Sequence, residues 1–233
     1  RITDQQQLDS IGTVDYEYLG EGGLNQFYIG TGFTLFDHKK AGLLSVGANA
    51  SFLFGNLNNI RRVELDTSSA LNLKYTKRTN LADFHFDGGI QYQLPLSKKV
   101  ALTLGATYSV NSDIKGSRTT LAERYFNIGE IEFESIQDTS FYEKSKVGSV
   151  TIPQSFGVGF VLKKEESWMF GAEYKTQDWS DYEAFGESDN LANSNRASAG
   201  LEWVPDKSSI LRRAYLKRVN YRIGGYYSNT YLQ

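Results

Sequence analysis

Hydrophobic and polar residues alternate along residues 153–182, first on one strand and then, after a polar turn at 163–167, on a second. The first strand carries Phe156, Val158, Phe160 and Leu162 on one face, and the second carries Trp168, Phe170, Ala172 and Tyr174. Side chains of an extended strand point to opposite faces with a period of two. The pattern therefore predicts an antiparallel hairpin with one apolar face and one face of small and charged residues.

The same alternation recurs in six further segments. They are residues 27–35, 44–54, 82–94, 100–110, 196–203 and 219–227. Together with the two strands above, they predict about eight strands in four hairpins, joined by connections that are alternately short and long. The polar segments 55–80, 111–150 and 177–195 are the predicted long loops. Short turns on one side and long loops on the other are typical of outer-membrane barrels.

Two architectures suit this pattern. In a soluble sandwich the apolar faces would form the core, whereas in a membrane barrel they would face lipid. Strands of about ten residues are long enough to cross a bilayer when tilted, and soluble strands are usually nearer five or six. The polar face is also rich in glycine, which suits a crowded curved interior. We therefore predict an all-β fold, an antiparallel transmembrane β-barrel, with Phe156, Phe160 and Phe170 pointing to lipid.

Composition narrows the function classes. The 233 residues show no internal break, so we predict a single domain over 1–233. A net charge of −2 gives no basic field of the kind that binds nucleic acid. With no cysteine and two histidines, we expect no metal site and no cofactor. No window holds the roughly 20 apolar residues that a membrane helix needs, but alternating barrel strands escape such averaging.

Four motifs carry a resemblance to a known family. They are PQSFGVG at 153–159, WMFGAEY at 168–174 with DWSDY at 178–182, RASAGLEWVP at 196–205, and YRIGGY at 221–226. In them the chain resembles the FadL-type family of Gram-negative outer membranes, which transports long-chain fatty acids and hydrocarbons. The resemblance implies a 14-stranded barrel with a lumen pocket for a hydrophobic ligand. Since only about eight strands are predicted here, we expect the chain to be an internal part of a longer barrel protein.

The alternation also predicts which side chains line the lumen. These candidate ligand- and lumen-lining residues are Asp83, His85, Asp87, Met169, Glu173, Lys175, Arg196, Glu202, Arg222 and Tyr226. Asp83, His85 and Asp87 share a strand face, so a carboxylate could orient the imidazole as a general base; a hydrogen-bonded polar patch is the alternative. Arg196 and Arg222 are the better candidates for meeting a ligand carboxylate, because a guanidinium binds it with two hydrogen bonds. Ion pairs that hold the wall are the alternative.

Two groups of aromatic and aliphatic residues have different predicted roles. Trp168, Tyr174, Trp179, Trp203 and Tyr221 are predicted membrane-interface aromatics, with core packing as the alternative. Phe126, Ile128, Ile131, Phe133, Ile136, Phe141 and Tyr142 fall in a predicted loop. They could pack on one another, cover the barrel mouth, or offer a capture surface for a ligand.

These observations favour a function in the cell outer membrane. We expect a multi-pass barrel that contacts outer-membrane lipid, passes hydrophobic small molecules such as long-chain fatty acids, and is not an enzyme, with no catalytic residues. Two alternatives stay open. One is a barrel scaffold or secretion-system partner that binds another protein without transport, and the other is a hydrolase that uses His85.

Overall fold

The computed structural model describes residues 1–8, 12–65, 71–127, 134–206 and 212–231. Within these residues the chain forms thirteen β-strands and two short 3₁₀ helices. The strands are β1 Ile2–Leu8, β2 Gly12–His38, β3 Gly42–Leu65, β4 Asn72–Pro95, β5 Val100–Ser109, β6 Ser112–Asn127, β7 Glu134–Ile152, β8 Ser155–Lys164, β9 Trp168–Gln177, β10 Glu183–Ala184, β11 Glu187–Ser188, β12 Ser194–Trp203 and β13 Tyr221–Asn229. The 3₁₀ helices are Trp179–Asp181 and Arg212–Arg218.

All described strands belong to one antiparallel sheet, which confirms the predicted all-β class. The eight predicted strands correspond to β2, β3, β4, β5, β8, β9, β12 and β13. They follow one another as neighbours in chain order, as consecutive hairpins do. The short turns between β2 and β3, β4 and β5, and β8 and β9 lie at one end of the sheet, here called the turn end.

The predicted long loops at 55–80 and 111–150 are wrong in their described parts. There β3 and β4 pair continuously from Leu43↔Gln93 to Val63↔Leu73, so the hairpin extends far beyond its apolar part. Likewise β6 pairs with both β4 and β7. The sequence signal fails because these extensions are largely polar and show no regular alternation of apolar and polar residues, whereas the hydrogen bonds of a strand ladder join backbone groups regardless of side chain.

Two long strands of the sheet are each divided into two segments, one into β5 and β6 and the other into β7 and β8. β5 and β6 run along the same edge of β4, and the Cα register shifts by one residue between Asp87↔Ser109 and Leu81↔Gly116. An extra residue of this kind is a β-bulge, and it reverses which residues face which side. β7 and β8 are separated at Pro153, whose ring nitrogen cannot donate to a ladder. Both breaks lie where the apolar part of the sheet gives way to its polar extension.

The two faces of the sheet differ as predicted. One face lines a groove of about 890 Å³ and carries residues such as Asn49, Asp87 and Gln91; we call it the inner face. The opposite, outer face exposes the apolar set, with Phe156 at 45%, Phe160 at 38% and Phe170 at 37% exposure. These phenylalanines do not enter a packed core, which contradicts the soluble-sandwich alternative.

The outer apolar residues form a band of limited height. On β3 the band runs from Leu44 to Phe54 and then gives way to Asn56 and Asn58 on the same face. Roughly 11 residues at about 3.3 Å each, tilted by about 40°, span about 25–30 Å, close to the apolar band of an outer-membrane barrel. The polar extensions beyond the band therefore lie outside the apolar layer.

The sheet is open within the described residues. β13 has β12 as its neighbour strand, and residues 19–38 of β2 pair with β3 alone. Barrel closure, and the internal position of this chain in a longer protein, therefore stay predictions.

The connection after β9 folds back onto the inner face. It contains the 3₁₀ helix Trp179–Asp181 and the small β10–β11 hairpin, and Ala184 of this hairpin pairs with Val150 of β7. Phe185 at its tip is buried with Leu53, Leu81 and Ile114. This cluster lies on the inner face at the end remote from the turn end.

The aromatic and aliphatic group predicted in the 111–150 loop lies partly on strands. Ile136, Phe141 and Tyr142 are on β7 and are each more than half exposed, so these three do not pack into a core of their own. Ile128, Ile131 and Phe133 lie outside the described residues.

Candidate functional site

The predicted lumen-lining residues share the inner face. The register aligns Lys175 with Arg196, Glu173 with Ser198 and Tyr226, and Met169 with Glu202 and Arg222. Residues at matched positions in neighbouring strands lie on the same side of a sheet. Asp87, Glu173, Lys175 and Arg196 line the 890 Å³ groove, and Met169, Glu202 and Arg222 line a second hollow of about 540 Å³ nearer the turn end.

His85 is buried on this face, and both ring nitrogens contact serine hydroxyls. Nδ1 lies 2.9 Å from Ser112 Oγ and Nε2 lies 2.8 Å from Ser109 Oγ. Ser112 Oγ also approaches the Val110 carbonyl at 3.4 Å, so it can accept from Nδ1–H while donating to that carbonyl. In that tautomer Nε2 accepts a hydrogen bond from the Ser109 hydroxyl.

Of the two alternatives for His85, the described hydrogen bonds join its ring to serine hydroxyls and not to Asp83 or Asp87. Asp83 accepts hydrogen bonds from the backbone N–H groups of Phe84 and Lys115, and Asp87 accepts one from the Asn49 side chain. The Ser109 hydroxyl lies within hydrogen-bond reach of the imidazole, but the carboxylate that completes a catalytic triad is missing from these contacts. The geometry favours the alternative of a hydrogen-bonded polar patch.

The two arginines on the inner face have different surroundings. Arg222 donates from Nε to Glu202 at 2.6 Å, as expected of an ion pair that holds the wall. Arg196 stacks on the Tyr226 ring, with its guanidinium carbon 4.5 Å from the ring centroid. Arg196 therefore keeps guanidinium donors available to the groove. It is a better candidate than Arg222 for contact with a ligand carboxylate, whereas Arg222 is paired within the wall.

A second cluster, which the sequence did not predict, lies on the inner face farther from the turn end than His85. Leu53, Leu81, Ile114 and Gly148 surround the Phe185 ring; we call this the Phe185 socket. On its rim, Arg118 Nη1 and Lys77 Nζ each lie 3.1 Å from Glu187 Oε2. Hydrogen bonding to Lys77 and the nearby cations lower the pKa of Glu187.

Comparison with known proteins gives a family. A family model named BamG matches residues 1–233, the whole chain. The chain belongs to the BamG family. This name differs from the FadL-type family that the motifs resemble, so that finer assignment stays a prediction. No curated protein matches the chain at a significant level.

One solved structure also matches this BamG-family chain. It is described as the CymD monoaromatic hydrocarbon channel, with a TM-score of 0.36 and 11% identity over 92% of this chain and 74% of that one. Structural similarity and sequence identity this low do not support an inference about function.

The predicted interface aromatics of the BamG-family sheet occupy both of its ends. Trp168, Trp203 and Tyr221 are in register at the turn end, where the Trp203 and Tyr221 rings lie 5.7 Å apart. Trp179 lies at the opposite end, in a 3₁₀ helix, with its ring 4.7 Å from that of Tyr231. Tyr174 lies on the outer face between the two ends and is 44% exposed. Their contact with lipid headgroups stays a prediction.

The polar extension above the band has an ionic core that sequence reasoning also missed. Arg62 bridges Glu17 at 2.8 Å and Glu134 at 2.6 Å, and Lys74 contacts the other oxygen of Glu134. Burial would lower the pKa of Arg62, but its hydrogen bond to Glu17 and the nearby carboxylates raise that pKa overall. These contacts join β2, β3, β4 and β7, so they hold the extension together.

Tyr125 is the most buried large side chain of the extension. It is 1% exposed, and its hydroxyl donates to Glu64 Oε1 at 2.7 Å. Burial, and then the bond to Glu64, raise the pKa of Tyr125 well above the usual tyrosine value. Tyr125 therefore stays protonated and keeps donating at any physiological pH.

No helix in the described part of the chain is long and apolar enough to span a membrane. Among the same residues, no group of three or more His, Asp or Glu side chains is placed to hold a metal ion.

Proposed function

We propose that this protein is an outer-membrane β-barrel that passes hydrophobic small molecules along its inner face without changing them chemically. The observation that supports the proposal most is the two-faced sheet. Its outer face exposes an apolar band about as tall as an outer-membrane bilayer core, and its inner face lines a groove of about 890 Å³.

The inner face favours ligands with one polar end. The groove itself is lined by polar and small residues such as Asn49, Asp87 and Thr107, whereas the cluster of Leu53, Leu81 and Ile114 above it is apolar. A ligand with an apolar part and a polar group satisfies both regions, because an unpaired polar lining would penalise a purely apolar molecule. Long-chain fatty acids, which the FadL-type resemblance suggests, have this character.

The test is uptake of radiolabelled oleate by Gram-negative cells that lack their own fatty-acid channel and express the intact protein. Gly105 faces the groove with open space where a Cβ would lie, so Gly105→Trp places an indole in the path. Ala106 is on the outer face, opposite Ile90 and Val158, so Ala106→Trp is the matched control.

We expect Gly105→Trp to lower uptake several-fold and Ala106→Trp to leave it near wild type, at equal amounts of protein in the outer membrane. Uptake that does not exceed the level of cells without the protein would refute the transport proposal. Equal uptake by both variants would exclude the inner groove as the path.

A second candidate function is a scaffold that binds another outer-membrane protein. It is favoured by β7, which exposes Ile136, Phe141, Tyr142 and Val147 above the apolar band and, within the described residues, pairs above Val150 with β6 alone. Exposed apolar side chains along a free strand edge suit protein contact. The double variant Phe141→Ser with Val147→Ser should then abolish chemical crosslinking of this protein to its partner, while oleate uptake stays unchanged.

A further inference from the structure

The tip of the β10–β11 hairpin has a backbone that its sequence does not favour. The two turn residues both have positive φ, 58° at Phe185 and 82° at Gly186. Two-residue hairpin turns of this kind prefer Asn, Asp or Gly at both positions, and a bulky side chain at positive φ is strained. Contacts of the Phe185 side chain must therefore compensate for the strain of the turn.

Those contacts are made in the Phe185 socket. The ring is 8% exposed among Leu53, Leu81 and Ile114. It lies so close to Gly148 that a Cβ there would be 2.5 Å from its Cδ1 atom. The Phe185 N–H also donates to the Ser149 carbonyl at 2.8 Å. The socket thus accepts one aromatic ring, and glycine at position 148 makes the room for it.

The rim of the socket binds a carboxylate. Arg118 lies over the Phe185 ring, with its guanidinium carbon 4.2 Å from the centroid, and together with Lys77 it holds the Glu187 carboxylate. The Nε atom of Arg118 is buried and has no hydrogen-bond partner. Two cations thus hold one carboxylate, which is itself largely exposed to solvent, and one of them keeps an unused donor.

We propose that the hairpin is a tethered stand-in for an amphipathic carboxylate ligand, and that the Phe185 socket is the ligand's binding site. The apolar end of the ligand takes the place of the Phe185 ring, and its carboxylate takes the place of Glu187 between Arg118 and Lys77. The unpaired Arg118 Nε gives the ligand a contact that the hairpin does not make. This inference rests on the proposed function and names the ligand class and the gate of the same inner face.

The hairpin would then act as a gate by competition. A site that is filled part of the time by a tethered group binds free ligand more weakly, in proportion to the time that it is empty. The strained turn favours exchange, because it weakens the hairpin's own hold on the socket. A neutral ligand of the same shape gains nothing from the two cations, so the site should prefer the acid.

The chain has no cysteine, so an introduced pair of cysteines can form a single disulfide that locks the hairpin onto β7. Ala184 and Val150 are directly paired across β10 and β7, and opposed residues of an antiparallel pair are about 4.5–5.5 Å apart at Cα, within the range of a disulfide. The double variant Ala184→Cys with Val150→Cys should hold the hairpin down when oxidised and free it when reduced.

The experiment is calorimetric titration of the intact protein in lipid nanodiscs with 8-phenyloctanoate, with empty nanodiscs as the background. We expect the oxidised lock to bind at least ten-fold more weakly than the same variant reduced. Phe185→Ala should bind roughly ten-fold more tightly than wild type, because the competitor is gone. Glu187→Gln should also tighten binding, and Glu183→Gln in the same hairpin is its control. The alcohol 8-phenyloctanol should bind more weakly than the acid to every unlocked form.

Equal affinity of the oxidised and reduced lock would overturn the proposal, as would absence of binding to both wild type and Phe185→Ala. An alcohol that binds as tightly as the acid would remove the assigned role of Arg118 and Lys77. Oleate uptake separates this inference from the proposed function. Uptake that persists in the oxidised lock refutes the gate alone, whereas binding without uptake in any variant refutes transport and keeps the socket.

Discussion

Ile90 and Gln91 are neighbours on β4 that point to opposite faces of the sheet. Ile90 is on the outer face and 46% exposed, while Gln91 lines the groove. On β4 the apolar band runs from Ala82 to Leu94, so Ile90 lies near its middle. Replacing each residue with lysine therefore tests the two faces at one depth with the same side chain.

The two lysine substitutions are expected to lower the free energy of unfolding by different amounts. A lysine on the lipid face near the bilayer middle destabilises a barrel by about 2–4 kcal/mol, which lowers the folding equilibrium constant by roughly 30-fold to nearly 1,000-fold. A lysine at position 91 on the inner face points into the polar groove, where it can stay hydrated, and its effect should be within about 0.5 kcal/mol. We therefore expect Ile90→Lys to be the more destabilising variant by at least about 1.5 kcal/mol.

The measurement is reversible urea unfolding of the intact protein in large lipid vesicles, followed by tryptophan fluorescence. Trp168 and Trp203 at the turn end report on the folded sheet. A soluble sheet would respond differently, because a lysine at an exposed apolar position in water costs little. If Gln91→Lys proves equally or more costly, the assignment of the outer face to lipid is refuted.

Three further predictions concern the extension and the hairpin. Tyr125→Phe removes the bond from the buried hydroxyl to the half-buried Glu64 carboxylate, so the free energy of unfolding should fall by about 1–3 kcal/mol in the same urea assay; an unchanged value would show that water replaces the hydroxyl. Arg62→Met removes one of the two guanidinium groups that contact the buried Glu17 carboxylate, the other being that of Arg1, and should lower the free energy of unfolding by about 1.5–3 kcal/mol; a smaller loss in Arg62→Lys, which keeps the positive charge, would confirm that the charge is responsible. The pKa of Glu187 is lowered in the folded state, so its stabilisation of the hairpin is complete above the ordinary glutamate value of about 4.3 and is lost as pH falls through the lowered value. Hydrogen exchange at residues 183–188 should accelerate in that acid range in wild type but not in Glu187→Gln.

The sequence was a reliable guide wherever the two faces of a strand differ in polarity. The alternation at residues 44–54 and 82–94 located β3 and β4 and assigned Phe84 and Phe86 to the outer face, where both are exposed. A period of two reports the faces of a strand directly. The same method predicted loops at 55–80 and 111–150, because these largely polar strands have no regular alternation to detect.

The Phe185 socket shows what the linear pattern leaves out. Leu53 and Leu81 stand on the polar side of the alternation, and an apolar residue out of phase in this way is the one signal that could have located an inner apolar site. Phe185 itself gives no such signal, since it falls in a polar connection. Gly148 is likewise one glycine among 22 until the ring is seen against it.

The sequence by itself therefore located eight of the thirteen described strands, in the parts where their two faces differ in polarity, and the face that each side chain takes there, because these follow from the local geometry of an extended chain. Only the tertiary structure decided which distant groups meet. The rim pairs join Glu187 to Arg118 and Lys77, residues 69 and 110 positions away. Such contacts depend on how strand registers and a β-bulge bring separate hairpins together on one inner face, and no local pattern of residues encodes that.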